Sequence, residues 1–507
     1  MVAAGILASR VVGLVRQRVL SHYLGQTAVA DAFNAAFRIP NVLQNLFGEG
    51  ALSASFIPEY VRLRTSGDEA AARRLAGAVA GLLGTVVLGL VAVGVVAAPW
   101  LVDVLALGFS GPTRELTVTL VRILFPGIGL LVLSAWCLGI LNSHHRFFLS
   151  YSAPVVWSVA IIAAALAGAG GAPERLVVWA AWGAVAGSAL QFLVQLPAAL
   201  RLAGRVRPSL DRTSPAVGVV LRNFGPAFLS RGVGQIGAYF DTIIGSLLPA
   251  GGLTALANAQ VLYTLPISLF GMSVAASELP AMSAVRGTPM PSEALRVRIL
   301  AGTDRVAFFV VPTVFAFLFF GHFVAGLVFQ TGQFGAADAQ WVWGTLAATS
   351  LGLLPQASGR ILSSAHFALG DTRRPLRFAT IRLAVGILIG YAASQFGPGL
   401  VGIDARWGTA GLGLAAAIGG TIEFLLLRRS LEGTIGSLAV DRVAHVKLWA
   451  SGLLATAAGW LVAVTLPPGG PFWTAALVLG VFGASYLGVT AALGVGRVRE
   501  ILARVRR

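Results

Sequence analysis

Asp31, Asn34, Arg38, Asn41, Asn45 and Glu49 follow one another at steps of three or four residues. Helical geometry puts such a series on one face, each side chain above the next. Upstream, Arg10 and Arg16 flank Gly13 and share an arc of about a third of a helix circumference. Guanidinium groups beside carboxylates have two chemical uses. They close ion pairs that hold helices together, or they grip an anion, because the planar fork matches phosphate or carboxylate through paired hydrogen bonds. In a water-soluble chain the 31–49 series would be an ordinary amphipathic helix. The surroundings decide.

The chain has 507 residues, 56% of them hydrophobic and only 11% charged, with a mean hydropathy of +0.81. Soluble domains carry about 25% charged residues, so most of this surface must face lipid. One cysteine, Cys137, excludes a disulfide framework and any multi-cysteine metal site. The net charge of +17 comes almost wholly from arginine, Lys447 being the only lysine. Such basicity is often a sign of nucleic-acid binding; the placement of the arginines points to a membrane instead.

Apolar runs long enough to span a bilayer, about 20 residues each, lie near 2–24, 28–50, 75–101, 116–142, 151–169, 176–200, 217–248, 254–284, 300–329, 338–368, 376–396, 408–428, 446–466 and 472–494. The reading is an all-α polytopic membrane protein of about 14 transmembrane helices. Connections after even-numbered spans are rich in arginine, for example Arg62, Arg64, Arg73 and Arg74, or Arg373, Arg374 and Arg377; those after odd spans hold only Arg114, Arg175 and Arg406. The positive-inside rule then puts both termini in the cytoplasm. Intramembrane charges remain: Arg10, Arg16, Arg18, Arg38, Arg122, Arg231, Arg360 and Arg382, with Asp31, Glu49, Asp241, Glu278 and Glu423. Arg18 and Arg122 can snorkel from helix ends. Arg10, Arg38, Arg231 and Arg382 lie too deep, where each charge costs about 2.5–3.5 kcal/mol on insertion scales.

The chain repeats itself. Ser9-Arg10-Val11-Val12-Gly13 in span 1 returns as Ser230-Arg231-Gly232-Val233-Gly234 in span 7, and Leu46-Phe47-Gly48 in span 2 as Leu269-Phe270-Gly271 in span 8. Two six-span lobes are expected, 1–204 and 205–432, with two further helices and a basic tail in 433–507; parallel repeats around a midplane cavity are a transporter plan. The Arg10–Arg16 arc is expected to meet Asp31 and Glu49 inside that cavity. No enzyme signature, cofactor motif or metal site is present: His144-His145 has no nearby carboxylate, and no phosphate loop follows a strand. Pro40 and Pro266 are expected bending points.

Ser9-Arg10-Val11-Val12-Gly13-Leu14-Val15-Arg16, Asp31-Ala32-Phe33, Phe37-Arg38-Ile39-Pro40-Asn41, Gly48-Glu49-Gly50-Ala51-Leu52-Ser53 and Gly370-Asp371-Thr372-Arg373-Arg374-Pro375 resemble the MurJ (MviN) family of lipid II flippases, in the MOP exporter superfamily. The resemblance covers nearly the whole chain. It implies two six-helix lobes around a central cavity, a tail groove on the last two helices, and an inner-membrane location. It also implies the substrate, undecaprenyl-diphosphate-linked disaccharide-pentapeptide, carried from the cytoplasmic to the periplasmic leaflet by a monomer among membrane lipids, with no nucleic acid involved. Arg10, Arg16, Asp31 and Glu49 match family positions important for function; Asn34, Arg38, Asn41 and Asn45 share their face. The chain departs from the family at Gln44 and Asn45, where many members are basic, and at Gln260 and Val261, where many have an acid–arginine pair. Arg231 is the expected substitute for that lost charge. Some superfamily exporters bind sodium in the second lobe; Asp241 is the candidate here, with Arg382 expected as its built-in counter-ion. The alternatives are another MOP exporter, of polysaccharide-lipid or drug/cation type, and a membrane glycosyltransferase using the same carrier lipid.

Overall fold

The computed structural model describes residues 2–47, 51–284, 291–465 and 470–495, except for the side chains of 2–7, 42–43, 227, 229–231, 233–234, 284 and 291. Helices follow one another almost without interruption: α1 (Val2–Leu24), α2 (Ala28–Phe47), α3 (Ala51–Thr65), α4 (Glu69–Val96), α5 (Ala98–Leu105), α6 (Gly111–Ser143), α7 (Phe147–Ala167), α8 (Pro173–Ala203) and α9 (Pro215–Ser246). Then come α10 (Gly252–Pro266), a π-helical turn (Ile267–Met272), α11 (Ser273–Ala284), α12 (Pro291–Phe329), α13 (Ala336–Ser350), α14 (Leu353–Ala368), α15 (Arg373–Gln395), α16 (Gly397–Val401), α17 (Gly408–Ile435), α18 (Arg442–Thr465) and α19 (Pro471–Ala492).

Among the described residues, ten helical segments are long and apolar enough to cross a membrane. The four expected spans missing from that set are those of α1, α2, α9 and the α13–α14 pair. Three of these are the helices that carry Arg10, Arg16, Asp31, Arg38, Arg231 and Asp241, and the fourth is broken at Leu351–Gly352. The low apolarity of α1, α2 and α9 is a consequence of the polar residues they carry, whereas α13 and α14 are each shorter than a span. Gly352 sits where α17 crosses: a Cβ there would lie 2.5 Å from Cα of Ala417.

The arginine-rich connections are built with carboxylate caps. The Asp68 side chain accepts from Ala71 N at the start of α4 (2.8 Å), and Asp441 Oδ1 accepts from Val443 N and Ala444 N at the start of α18 (2.9 and 3.2 Å). In the Gly370-Asp371-Thr372 turn, Gly370 takes φ +79°, and Asp371 Oδ1 accepts from Arg373 N and Arg374 N, both at 3.1 Å. These bonds satisfy amides that a helix start leaves unpaired. They also hold the Asp371 carboxyl below the usual carboxylate range.

Two compact units result, 1–254 and 255–507. In the first, α6 packs on α2, α3, α4 and α8, and Leu120, Leu124 and Phe125 join Phe33, Ala35, Ala36 and Ile39 of α2 in one core. α1 packs mainly on α7, and α7 on α8. α9, counted with the second lobe in the sequence, packs on α2 and α3 and so falls in the first unit; the compact boundary lies some fifty residues beyond the expected 204/205 limit. In the second unit α15 packs on α17, and α18 and α19 pair and dock on α12 through Leu448, Ala455, Val478 and Phe482 against Phe308, Phe315 and Phe320.

The two expected bending points behave differently. α2 runs helical through Pro40. After Pro266 the backbone widens into the π turn that holds Leu269-Phe270-Gly271, as prolines and π bulges do in helices. The matching motif of the first half, Leu46-Phe47-Gly48, runs into residues outside those described.

Close packing at glycine generates a prediction. A Cβ on Gly187 of α8 would lie 2.9 Å from the carbonyl oxygen of Trp157 and 3.0 Å from Cβ of Ala160. Gly187→Val should force α7 away from α8 and destabilise the protein by about 1–3 kcal/mol, seen as a lower midpoint in thermal unfolding of the detergent-purified chain. An unchanged midpoint would mean that α7 and α8 are not packed this closely.

Candidate functional site

The polar face of α2 is matched along its length by α9 and the start of α10, all within the first unit. At one end Asp31, 3% exposed, accepts three hydrogen bonds. Gly251 N donates to Oδ2 at 2.6 Å, and Thr254 N and Thr254 Oγ1 donate to Oδ1, each at 2.7 Å. These amides are the open donors of the α10 N-terminus, where a carboxylate also meets the positive end of the helix dipole. Gly251 adopts φ +93°, and a Cβ there would lie 2.5 Å from the carbonyl oxygen of Gln26, so only glycine fits. Asn34 Nδ2 extends the clamp, donating to Ala30 O (2.9 Å) and Thr254 Oγ1 (3.1 Å).

One turn further, Arg38 Nη1 donates to Ala238 O (3.2 Å) and Thr242 Oγ1 (3.3 Å) of α9, and its charge also interacts with Asp241. Asn41 is half-buried on the same face. Asn45 Nδ2 donates to Gln235 Oε1 at 2.9 Å, and beyond it Phe47 packs against Phe224 and Phe228 at centroid distances of 5.9 and 5.0 Å. The opposite face of α2, with Ala32, Ala35, Ala36 and Ile39, is sealed in the core against α6.

The guanidinium group of Arg16 lies 4.8 Å from the ring centroid of Trp157 on α7, and its Nη1 is 3.5 Å from Ser158 Oγ. The Trp157 ring is held by Nε1–H donating to Ala184 O (3.1 Å) and by an edge contact with Phe37 (5.8 Å). Arg10 is exposed. Arg231 lies in α9, but its side chain is outside the described residues, as is the whole of Glu49.

The expected meeting of Arg16 with Asp31 does not occur. Both oxygens of Asp31 are taken by α10 donors, and Arg16 rests on an aromatic ring and a hydroxyl. The reason is packing order: α1 sits on α7, whereas the polar face of α2 is turned to α9. Arg382 and Asp241 fall in different units, and each has a partner within its own. Arg382 Nη1 is 3.3 Å from Glu423 Oε2, and Asp241 interacts with Arg38. Sequence reasoning missed Trp157, Ser158, Gln235, Thr242 and Thr254. Neutral residues on separate helices leave no spacing signal; the adjacent tryptophan and serine of span 5 were the one local cue to a cation above them.

Helix order and packing define the class: the fold of the MOP exporters. A solved structure titled "Lipid II flippase MurJ, inward closed conformation" superposes with a TM-score of 0.81 at 22% identity, covering 99% of both chains. An inward-facing multidrug resistance MATE family transporter of the MOP superfamily superposes with a TM-score of 0.69 at 18% identity over 85% of this chain and 95% of that one. The sequence profile described as "Lipid II flippase MurJ" matches residues 20–480. The probable lipid II flippase MurJ of Vibrio cholerae is 30% identical over 528 aligned residues, 99% of this chain and 96% of the relative. The lipid II flippase MurJ of Burkholderia cenocepacia is 32% identical, covering 83% and 80%. The chain belongs to the MurJ family, and is a multi-pass protein of the bacterial inner membrane.

Asp31→Ala should leave the first-turn amides of α10 unsatisfied, an effect of about 1–3 kcal/mol per buried donor; Thr254→Val, which keeps its amide, should cost less. Thermal unfolding of the two purified variants orders them, and equal midpoints would contradict the clamp.

Proposed function

We propose that this chain carries undecaprenyl-diphosphate-linked disaccharide-pentapeptide from the cytoplasmic to the periplasmic leaflet, as a transporter rather than an enzyme. One observation carries the reading. Arg16 is held inside a membrane-spanning helix by a neutral ring and a neutral hydroxyl, and among the described residues it has no carboxylate partner. A guanidinium so placed costs about 2.5–3.5 kcal/mol unless an anion meets it, and a diphosphate supplies that anion with oxygens that fit its fork. Arg10, two turns away on α1, adds a second donor.

The substrate-binding set is then Arg10 and Arg16, with Arg38, Asn34, Asn41 and Asn45 along α2, Asp31 fixing α2 to α10, Glu49 in its family role, and Arg231 supplying the charge lost at Gln260 and Val261. The site opens alternately to the two membrane faces while the prenyl tail stays in lipid. Both termini are cytoplasmic, as the arginine distribution requires, and the monomer suffices. The membrane potential is the drive: an interior-negative membrane favours outward movement of anions by about 2.3 kcal/mol per charge per 100 mV. Sodium is not needed, because Asp241 has Arg38 beside it and Glu423 has Arg382.

In cells depleted of their own flippase, the wild-type chain should restore lipid II flipping, whereas Arg10→Ala and Arg16→Ala should not; full rescue by Arg16→Ala would refute the reading. Arg231→Ala should reduce rescue, and undiminished growth would remove that residue from the set. Flipping in vesicles at fixed potential should not change when sodium replaces potassium; a rise with sodium would reinstate an ion site.

A further inference from the structure

Where α18 begins and α19 ends, the second unit holds two adjoining cavities. The larger, of about 410 Å³, lies among Asp304 of α12, Asp441, His445 and Lys447 at the start of α18, and Gly494 and Val495 just past α19. Such a volume falls in the range of small-molecule sites, about 300–1,000 Å³. The smaller, of about 200 Å³, is walled by apolar side chains of α12, α14 and α17, among them Leu300, Ala307, Leu354, Leu362 and Phe424. His445 lines both. On α12 neighbouring residues divide between them: Thr303 and Ala307 line the smaller cavity, Asp304 and Phe308 the larger. With the orientation proposed above, both cavities sit in the inner leaflet.

The larger cavity carries charge of both signs. Lys447, the only lysine of the chain, donates from Nζ to Leu493 O at 2.9 Å and takes part in no ion pair among the described residues. An ammonium has three N–H donors, so two remain for a ligand. Asp441 uses Oδ1 for the amides of Val443 and Ala444, and it too is in no ion pair among the described residues. His445 is turned so that Nδ1 faces Asp441 O at 3.1 Å. A ligand that satisfies this lining brings an anion for Lys447 and a cation with N–H donors for Asp304 and Asp441. The adjoining cavity calls for a hydrocarbon chain. A phospholipid with a phosphate and a primary ammonium in its headgroup has all three parts.

We propose that the two cavities together bind one phosphatidylethanolamine molecule of the inner leaflet, its phosphate on Lys447, its ammonium between Asp304 and Asp441, and one acyl chain in the apolar cavity. The bound lipid ties α12 to the α18–α19 pair at their cytoplasmic ends. No hydrophobic gain drives a chain from bilayer to protein, because lipid tails are as apolar as leucine. The headgroup contacts therefore set the affinity, and the apolar cavity sets the orientation. Phosphatidylglycerol brings the phosphate but no ammonium, which leaves two carboxylates facing an anion. Phosphatidylcholine brings a cation without N–H donors. The expected order of affinity is ethanolamine, then choline, then glycerol. Among the described residues α19 contributes only Gly494 and Val495, past its end. The site thus lies apart from the tail groove that the family resemblance puts along the last two helices.

The test uses the full-length protein, purified in detergent and stripped of lipid. It is titrated separately with phosphatidylethanolamine, phosphatidylcholine and phosphatidylglycerol, reading Kd by native mass spectrometry, and undecaprenyl phosphate is added as a competitor. Wild type should bind phosphatidylethanolamine about tenfold tighter than phosphatidylglycerol, the effect of one charge-assisted hydrogen bond. The double variant Asp304→Asn, Asp441→Asn should lose that preference and still bind phosphatidylglycerol at least as tightly as wild type, which shows that it is folded. Asparagine keeps the cap of α18. Lys447→Gln should weaken both lipids about equally, since both present a phosphate. Preference for phosphatidylglycerol in wild type, an unchanged ethanolamine preference in the double variant, or undiminished affinity in Lys447→Gln would overturn the site. So would displacement of bound phosphatidylethanolamine by undecaprenyl phosphate, which would give the cavities to the carrier lipid. None of these results bears on the rescue of flipping that tests the transport function.

Discussion

A carboxylate placed on a helix start it does not belong to governs the first unit. Asp31 reaches from α2 to the amides of Gly251 and Thr254, some 220 residues later in the chain, and neutralises donors that no α10 residue can satisfy. With that contact made, the polar face of α2 must lie along α9. Arg38 then finds Ala238 O and Thr242, Asn45 finds Gln235, and Phe47 finds Phe224 and Phe228. Water is scarce at this depth, so each polar group needs a protein partner or a ligand. The clamp supplies partners to most of the α2 stripe and leaves the arginines of α1 for other work.

The division of labour among helices follows the same logic. Segments such as α4, α7 and α19 turn much of their surface to lipid and read as simple apolar spans, while α1, α2 and α9 fall short of that standard because they carry charge. Charge is distributed unequally between the units. In the first, Arg16 is accommodated by an aromatic face and a hydroxyl, which orient a cation without neutralising it. In the second, Arg382 has a carboxylate partner, and among the described residues Arg360 is in no ion pair.

Much of the architecture was legible before any coordinates. Composition established lipid as the solvent, apolar length located the spans, and the Asp31-Ala32-Phe33 and Phe37-Arg38-Ile39-Pro40-Asn41 motifs pointed to the family that the profile and relatives bear out. The polar face of α2 was also correct as a face. Its neighbour was not: the arginines of α1 were expected opposite it, and α9 stands there. Within their own units Arg382 meets Glu423 and Asp241 interacts with Arg38, partners that spacing did not point to.

Sequence alone, then, determined which residues enter the membrane, on which helix, and at what angle around its axis, because periodicity and hydropathy are local properties of a segment. Only the tertiary structure decided which helix fills each angle. That choice rests on close contacts such as Gly187 on Trp157 and Asp31 on Thr254, between segments far apart in the chain, and no spacing rule reaches across such distances.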